Sequence, residues 1–253
     1  MNISQKILCH NDTEFPFFYD ILIPEENPRG ILLVLPEPHN VSFNSPSFID
    51  EILKNGYCAA VMIPQKTGLE LIDHIEACCT LIDIIRQKYK FLPIIALGTD
   101  LASISARALG ECEMDRISGL ILAKPTIPKL SGFTKAYAKF ICAIKGEEYR
   151  SGILGDYKAP LRTTLSFLQK ANMLDSEIGI AEYPKHIPTL IINAENDILF
   201  NALDDAYVSL VEKASANSEE EGFSIVFDFV QRVVQGVSDA LSSDSFIYRG
   251  TGL

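Results

Sequence analysis

The sequence is short of positive charge. Against 33 Asp and Glu there are 22 Lys and Arg in 253 residues, a formal net charge of −11. The basic residues are scattered singly rather than gathered into a stripe, which argues against a nucleic-acid partner. The same excess of acid repels an anionic membrane surface. Pairs of metal-ligand spacing are missing too. The six cysteines, at positions 9, 58, 78, 79, 112 and 142, form no CxxC and have no partnered histidine. Neither a zinc site nor a disulfide framework is therefore expected. Cys58, Cys78 and Cys142 fall in apolar runs, where a free thiol packs as a small hydrophobe. No stretch approaches the ~20 apolar residues of a membrane span. The opening MNISQKILCHNDTEF has one lysine and no apolar core of signal-peptide length. These absences predict a cytoplasmic protein with no metal, no cofactor and no nucleic acid. They leave its oligomeric state open.

What is present is apolar residue, 47% of the chain, with charged residues at an ordinary 22%. That is enough to build one large two-sided core. Strand and helix patterns alternate, the signature of a parallel sheet covered on both faces. Strands are expected at 17–24, 30–36, 57–64, 92–98, 118–125 and 187–197. The continuously apolar GILLVLP (30–36) reads as buried on both sides. Helices are expected at 46–55, ending at Gly56 in a C-terminal cap position, at 69–90, at 100–110 and at 201–215. Leu71, Ile75, Cys78, Cys79, Ile82 and Ile85 carry the helical spacing of the second. SEEE (218–221) reads as a solvated turn. Residues 126–186, with Tyr137, Phe140, Phe167 and several basic residues, form a helical insertion between sheet strands. The whole chain, 1–253, is expected to be a single domain with 126–186 as a cap over the carboxyl edge.

Four segments carry a resemblance. PRGILLVLP, LKNGYCAAVMIP, LPIIALGTDLASISARAL and IPTLIINAENDILF occur in that order over roughly 17–200. They resemble the α/β-hydrolases, and within them the lysophospholipase and monoacylglycerol-lipase branch. The last segment is the most specific, and the third nearly as good. The resemblance implies an α/β-hydrolase fold, with a mostly parallel central sheet flanked by helices. It also implies a strand leading to an oxyanion loop, a nucleophile elbow, and a strand delivering the triad acid. Physical reasoning gives the elbow independently: a buried strand, a sharp turn between small residues, and a helix whose N-terminus faces the substrate. Gly98 and Ala102 bracket such a turn.

The tip of that turn is Asp100, where G-x-S-x-G places a serine. Three readings of Asp100 stand. Dehalogenases and epoxide hydrolases use an elbow aspartate to form an ester intermediate, but need a histidine to hydrolyse it. The carboxylate also suits the N-cap of a helix starting at Leu101. It also suits binding a ligand at the mouth of a retained pocket. Asp197 stands at the acid position, and in this fold the histidine follows the acid in chain order. The histidines are His10, His39, His74 and His186, so none follows Asp197.

Two C-terminal assignments compete. In one, GFSIVFDF (222–229) is the last strand and VQRVVQGVSDAL the last helix. In the other, SFIYRG (245–250) is the last strand, and RGTGL puts Leu253 at the histidine position. The oxyanion segment is altered as well. Where the family has His-Gly, this chain reads Leu35-Pro36-Glu37-Pro38-His39-Asn40, in which two prolines have no N–H to donate. The N–H of Leu101 remains as the other oxyanion donor. His39 is the one histidine on a loop at the carboxyl edge, where it meets Asp100 and Asp197 as an improvised base or a metal-binding trio, or else points to solvent. His74 and His186 are expected at the surface. Gly236-Val237-Ser238-Asp239-Ala240 approaches G-x-S-x-G by chance inside a helical pattern.

The sequence thus predicts a hydrolase-like scaffold of esterase or lipase type with a lost triad, non-catalytic or impaired, retaining a pocket for a small apolar or acyl ligand. Its rivals are an active hydrolase of ester or related bonds using Asp100 with His39, and a protein-interaction module.

Overall fold

A computed structural model describes residues 7–9, 17–35, 46–64, 71–99, 101–113, 115–123, 125, 131–146, 149, 162, 164–169, 186–192 and 210–249. Eight strands form one sheet: β1 (Ile7–Cys9), β2 (Phe17–Leu22), β3 (Ile31–Leu35), β4 (Cys58–Pro64), β5 (Ile94–Thr99), β6 (Gly119–Ala123), β7 (Thr189–Ile192) and β8 (Val211–Ala214). Their order is β1-β2-β4-β3-β5-β6-β7-β8. The pairings β1 with β2 and β2 with β4 are antiparallel, and every other is parallel. The helices are α1 (Pro46–Lys54), α2 (Leu71–Lys88), α3 (Ala102–Cys112), α4 (Gly132–Lys145) and α5 (Glu219–Arg249). A shorter helical stretch lies at 164–169.

The central strands are apolar throughout because both of their faces are covered. All five residues of β3 are completely buried. Successive side chains point to opposite faces of a strand. Accordingly Ile31, Leu33 and Leu35 join one core with Ile94 and Ala96 of β5 and Cys78, Leu81, Ile82 and Ile85 of α2. Leu32 and Val34 join the other, with Ile95 and Leu97 of β5 and the face of α5. A third cluster joins Leu71, Leu101, Ile104 and Ala108 to Ala138 of α4 and to Leu165, Phe167 and Leu168. Gly56 has φ +77° directly after α1, the left-handed conformation expected of a helix C-terminal glycine.

Most expected elements are present within a few residues. The C-terminal third is different. Residues 211–214, expected within a helix, form edge strand β8. SEEE is not a solvated turn but the start of α5. Ser218 Oγ accepts from the Glu221 N–H at 3.2 Å, and Glu221 Oε2 accepts from the Asn217 N–H at 2.8 Å. This reciprocal pair satisfies N–H groups that the first helical turn leaves orphaned. Of the two expected last strands, 222–229 lies inside α5 instead, as do residues 245–249 of the other. The reason is periodicity. Val226, Phe229, Val230, Val233 and Val234 are all buried, at a helix's i, i+3, i+4, i+7, i+8 spacing. Tertiary burial of that face overrides the strand preference of valine and phenylalanine. The 236–240 segment is helical, as expected.

Candidate functional site

The parallel register brings the ends of five strands to one edge. Leu35 lies opposite Gly98, and Thr99 opposite Ala123. Ala123 lies opposite Ile192, and Ile192 opposite Ala214. The connections leaving β3, β5, β6, β7 and β8 therefore start side by side. In an open α/β sheet this carboxyl edge is where ligands bind.

At its centre β5 turns directly into α3. A Cβ added to Gly98 would sit 2.4 Å from the carbonyl oxygen of Ala102, 2.7 Å from its carbonyl carbon and 2.9 Å from the Ser103 nitrogen. Strand and helix touch backbone to backbone, and only glycine fits between them. Leu101 already has helical dihedrals (φ −63°, ψ −30°) and is buried, so helical geometry begins where the sequence places it. This backbone approach of strand and helix is what a tight strand-to-helix elbow requires. By sequence the tip of such an elbow is Asp100, which lies outside the described residues, as do His39 and Asp197.

Strands β7 and β8 establish the neighbouring connections. Asp197 belongs to the one leaving β7. The connection from β8 to α5 is Ser215-Ala216-Asn217-Ser218. Because β8 is the last strand among the described residues, this is where the fold's chain order puts the histidine, and these four residues include none. Leu253, the other expected place for a histidine, lies outside the described residues.

Two sequence expectations about histidines fare differently. His186 is exposed. His74 is not a surface residue but completely buried, with Nδ1 2.7 Å from Ser105 Oγ. Its place in the pattern, three residues after Leu71 and four before Cys78, puts it on the inward stripe of α2. The signal was present, but a charged neighbourhood (Asp73, Glu76) obscured it. This Ser–His contact, formed between α2 and α3, is not a displaced catalytic dyad. Ser105 and His74 are both without solvent exposure, so no substrate reaches them. Ser103 and Arg107, on the same helix, are equally buried.

None of the five cysteines whose side chains are described offers a substitute nucleophile. Burial pushes the Cys58 thiol up to about 11. Burial, then the charge of Glu113 and a hydrogen bond to it, push Cys79 up to about 12. Cys78 is raised well above the ordinary value by burial. Cys112 and Cys142 are also raised, burial again being the main cause. A nucleophilic cysteine needs the opposite shift. Among the described residues no cluster of His, Cys, Asp or Glu is arranged to hold a metal, and no helix is long and apolar enough to cross a membrane.

Whole-structure similarity agrees with the fold class. A thermostable carboxyl esterase from Bacillus coagulans, solved with glycerol, superposes with a TM-score of 0.69 at 17% identity, over 91% of this chain and 98% of that one. The chain has the α/β-hydrolase fold. A monoglyceride lipase from Saccharomyces cerevisiae, solved with a substrate analogue, gives a TM-score of 0.62 at 14% identity, over 94% and 96% of the two chains. A monoacylglycerol lipase from Paleococcus ferrophilus gives 0.60 at 13%, over 87% and 98%. No family model matches this sequence, and no curated protein matches it. The likeness is thus one of architecture.

Proposed function

We propose that this protein is an esterase- or lipase-type α/β-hydrolase scaffold that has lost serine-triad hydrolysis and keeps its carboxyl-edge site for binding a small apolar or acyl molecule. The observation that carries the reading is the contrast at the elbow. The backbone contact between Gly98 and Ala102 is retained at a separation only glycine allows, while the tip residue is an aspartate. Two further losses support it. The β8–α5 connection contains no histidine, and Pro36 and Pro38 withhold backbone donors from the segment after β3. Each oxyanion donor is worth about 2.7–4 kcal/mol of transition-state stabilisation. Losing nucleophile, base and donor together leaves little of the rate.

Residues 126–186 serve as the cap in this reading. They leave the sheet after β6 and return beside it in β7, and α4 with the 164–169 stretch packs against Leu101 and Ile104 just past the elbow. The glycerol and substrate analogue bound by the structural neighbours suggest the ligand class.

The test is Asp100→Ser. A serine hydroxyl is a poor nucleophile until a positioned base takes its proton. The single variant should therefore hydrolyse a short acyl ester no faster than buffer. A clear steady-state rate would mean that a base, His39 being the available one, already stands beside the elbow, and would overturn this reading.

A further inference from the structure

We propose that the groove between α1 and α5 is a docking site for a basic amphipathic helix of another protein. The two helices start together, Ser47 Oγ donating to Glu219 Oε1 at 3.3 Å, and run side by side in the same direction. Ring contacts continue the alignment. Phe48 of α1 meets Phe223 and Phe227 of α5 at centroid separations of 5.1 and 6.2 Å, and Tyr57, just past α1, stacks on Phe227 at 6.4 Å. The groove beside these rings has a volume of about 750 Å³. Its walls are regular. Ser47, Asp50, Glu51 and Lys54 line it from α1 at i, i+3, i+4 and i+7. Glu220, Phe223, Ser224, Phe227 and Asp228 line it from α5 on the same period. Phe223 and Phe227 are half-buried and form an aromatic floor. At 1.5 Å per residue each wall runs for about 13 Å, room for two to three turns of a third helix. Neighbouring helices accept such a partner between their ridges.

Charge selects the partner. The groove is lined by five carboxylates, those of Asp50, Glu51, Glu219, Glu220 and Asp228, against the one ammonium of Lys54, a formal −4. Lys54 is already held by Glu51, Nζ to Oε1 2.6 Å. The sequence leading into α1, residues 36–45, has no Lys or Arg to offset the rest. Compensation of the helix dipole accounts for Glu219 and Glu220 in the first turn of α5. It does not account for Asp50 and Glu51 in the body of α1, or for Asp228 in the third turn of α5. Two rows of like charge facing across a helix pair repel each other, and a cationic partner removes that repulsion. A helix with apolar anchors flanked by Lys or Arg meets both features of the groove. Its anchors cover the phenylalanine floor, and its cations reach the two walls and the ring faces. A second copy of this chain, at net −11, and any polyanion are repelled by the same walls.

The experiment is fluorescence anisotropy of the full chain with a labelled model peptide of about 14 residues, roughly four helical turns. The peptide carries leucine on one helical stripe and lysine or arginine elsewhere. One control replaces every cation by glutamate, and another replaces every leucine by serine. Expected is saturable binding of the first peptide alone, weakening as salt is raised. Asp50→Asn, Glu51→Gln, Glu220→Gln and Asp228→Asn should each weaken it about twofold to fivefold, and together about tenfold or more. Lys54→Gln should tighten it about twofold. The combined variant should unfold no earlier than the native chain, since it loses only repulsion; a lowered midpoint would make these carboxylates structural and overturn the inference. Glu25→Gln with Glu26→Gln, at exposed positions between β2 and β3, should leave the affinity unchanged. An equal loss from that pair would mark attraction to the whole chain's net charge and overturn the docking site. So would equal binding of the serine peptide, which would mark a site for cations alone, or no saturable binding at all. The readout involves no chemistry, so it is independent of what Asp100 does.

Discussion

Replacing Gly98 with alanine tests the elbow more sharply than any change of a catalytic group. The new methyl would lie 2.4 Å from the Ala102 oxygen, with Ala102 carbon and Ser103 nitrogen at 2.7 and 2.9 Å. All three are backbone atoms, so no side chain can swing aside. Neither partner can retreat easily. Gly98 is held on both sides by ladder pairing, opposite Leu35 of β3 and Leu122 of β6, and α3 is buried through nine consecutive residues. Overpacking a core by a methylene costs about 1–3 kcal/mol where neighbours can adjust. Here the cost should reach or exceed the upper end, about 3 kcal/mol. At about 2–4 °C per kcal/mol for a chain of this size, the midpoint should fall by roughly 6–12 °C. Urea unfolding followed by circular dichroism reads the shift in midpoint at constant slope. Gly236→Ala is the matched control, since an added Cβ there meets nothing within 4 Å. Within α5 it should stabilise by about 1 kcal/mol. A Gly98→Ala protein within about 0.5 kcal/mol of the native one, the range of an ordinary surface substitution, would refute the strand–helix contact on which the elbow rests.

Ser105→Ala removes the hydroxyl bonded to a buried imidazole and should cost about 1–3 kcal/mol in the same urea assay; no measurable loss would mean the pair is not buried as described. Stability should also fall at high pH. Cys58 and Cys79 hold their protons to about 11 and about 12 when folded, whereas the unfolded thiols ionise near 9. Their contribution is complete below that unfolded value and is lost as pH rises through the folded ones, so unfolding midpoints should drop steadily above pH 9, and less steeply in Cys58→Ala. Of the five cysteines whose side chains are described, thiol alkylation at neutral pH should mark Cys112, the exposed one, first. Early modification of Cys78 would contradict its burial. Finally, Asp100→Ser combined with Asn217→His should hydrolyse a short acyl ester faster than Asp100→Ser alone. It should still run roughly a hundredfold or more below a complete site because the prolines after β3 withhold a donor. No gain over the single variant would argue against placing the base position in the β8–α5 connection.

The central sheet was legible in the sequence because strands buried on both faces read as unbroken apolar runs, and β3 to β7 are of that kind. The elbow was legible for a different reason: small residues at 98 and 102 leave a spacing that few other structures need. The C-terminal region was misread where two signals compete. Valine and phenylalanine favour strands, and GFSIVFDF begins with a partial alternation. The buried set Val226, Phe229, Val230, Val233 and Val234 nevertheless repeats at the helical period. The reciprocal Ser218–Glu221 cap was also written in the sequence, as a serine followed three residues later by glutamate ahead of an apolar run. Recognising it would have placed the start of α5, and with it the connection where a histidine is missing. Edge strand β8 gave less warning, since VEKA is four residues with two charged side chains facing water. His74 was hidden by its acidic neighbours, although its own spacing matched the inward stripe.

The central claim is that the elbow is intact in backbone and empty of serine chemistry. Incubating the native chain with a fluorophosphonate probe and measuring intact mass tests it most directly. The account predicts an unchanged mass at long exposure, because Asp100 offers no activated hydroxyl and Ser103 and Ser105 on the adjoining helix are completely buried. Stoichiometric addition of the probe, mapped by peptide sequencing to any serine of this chain, would contradict it.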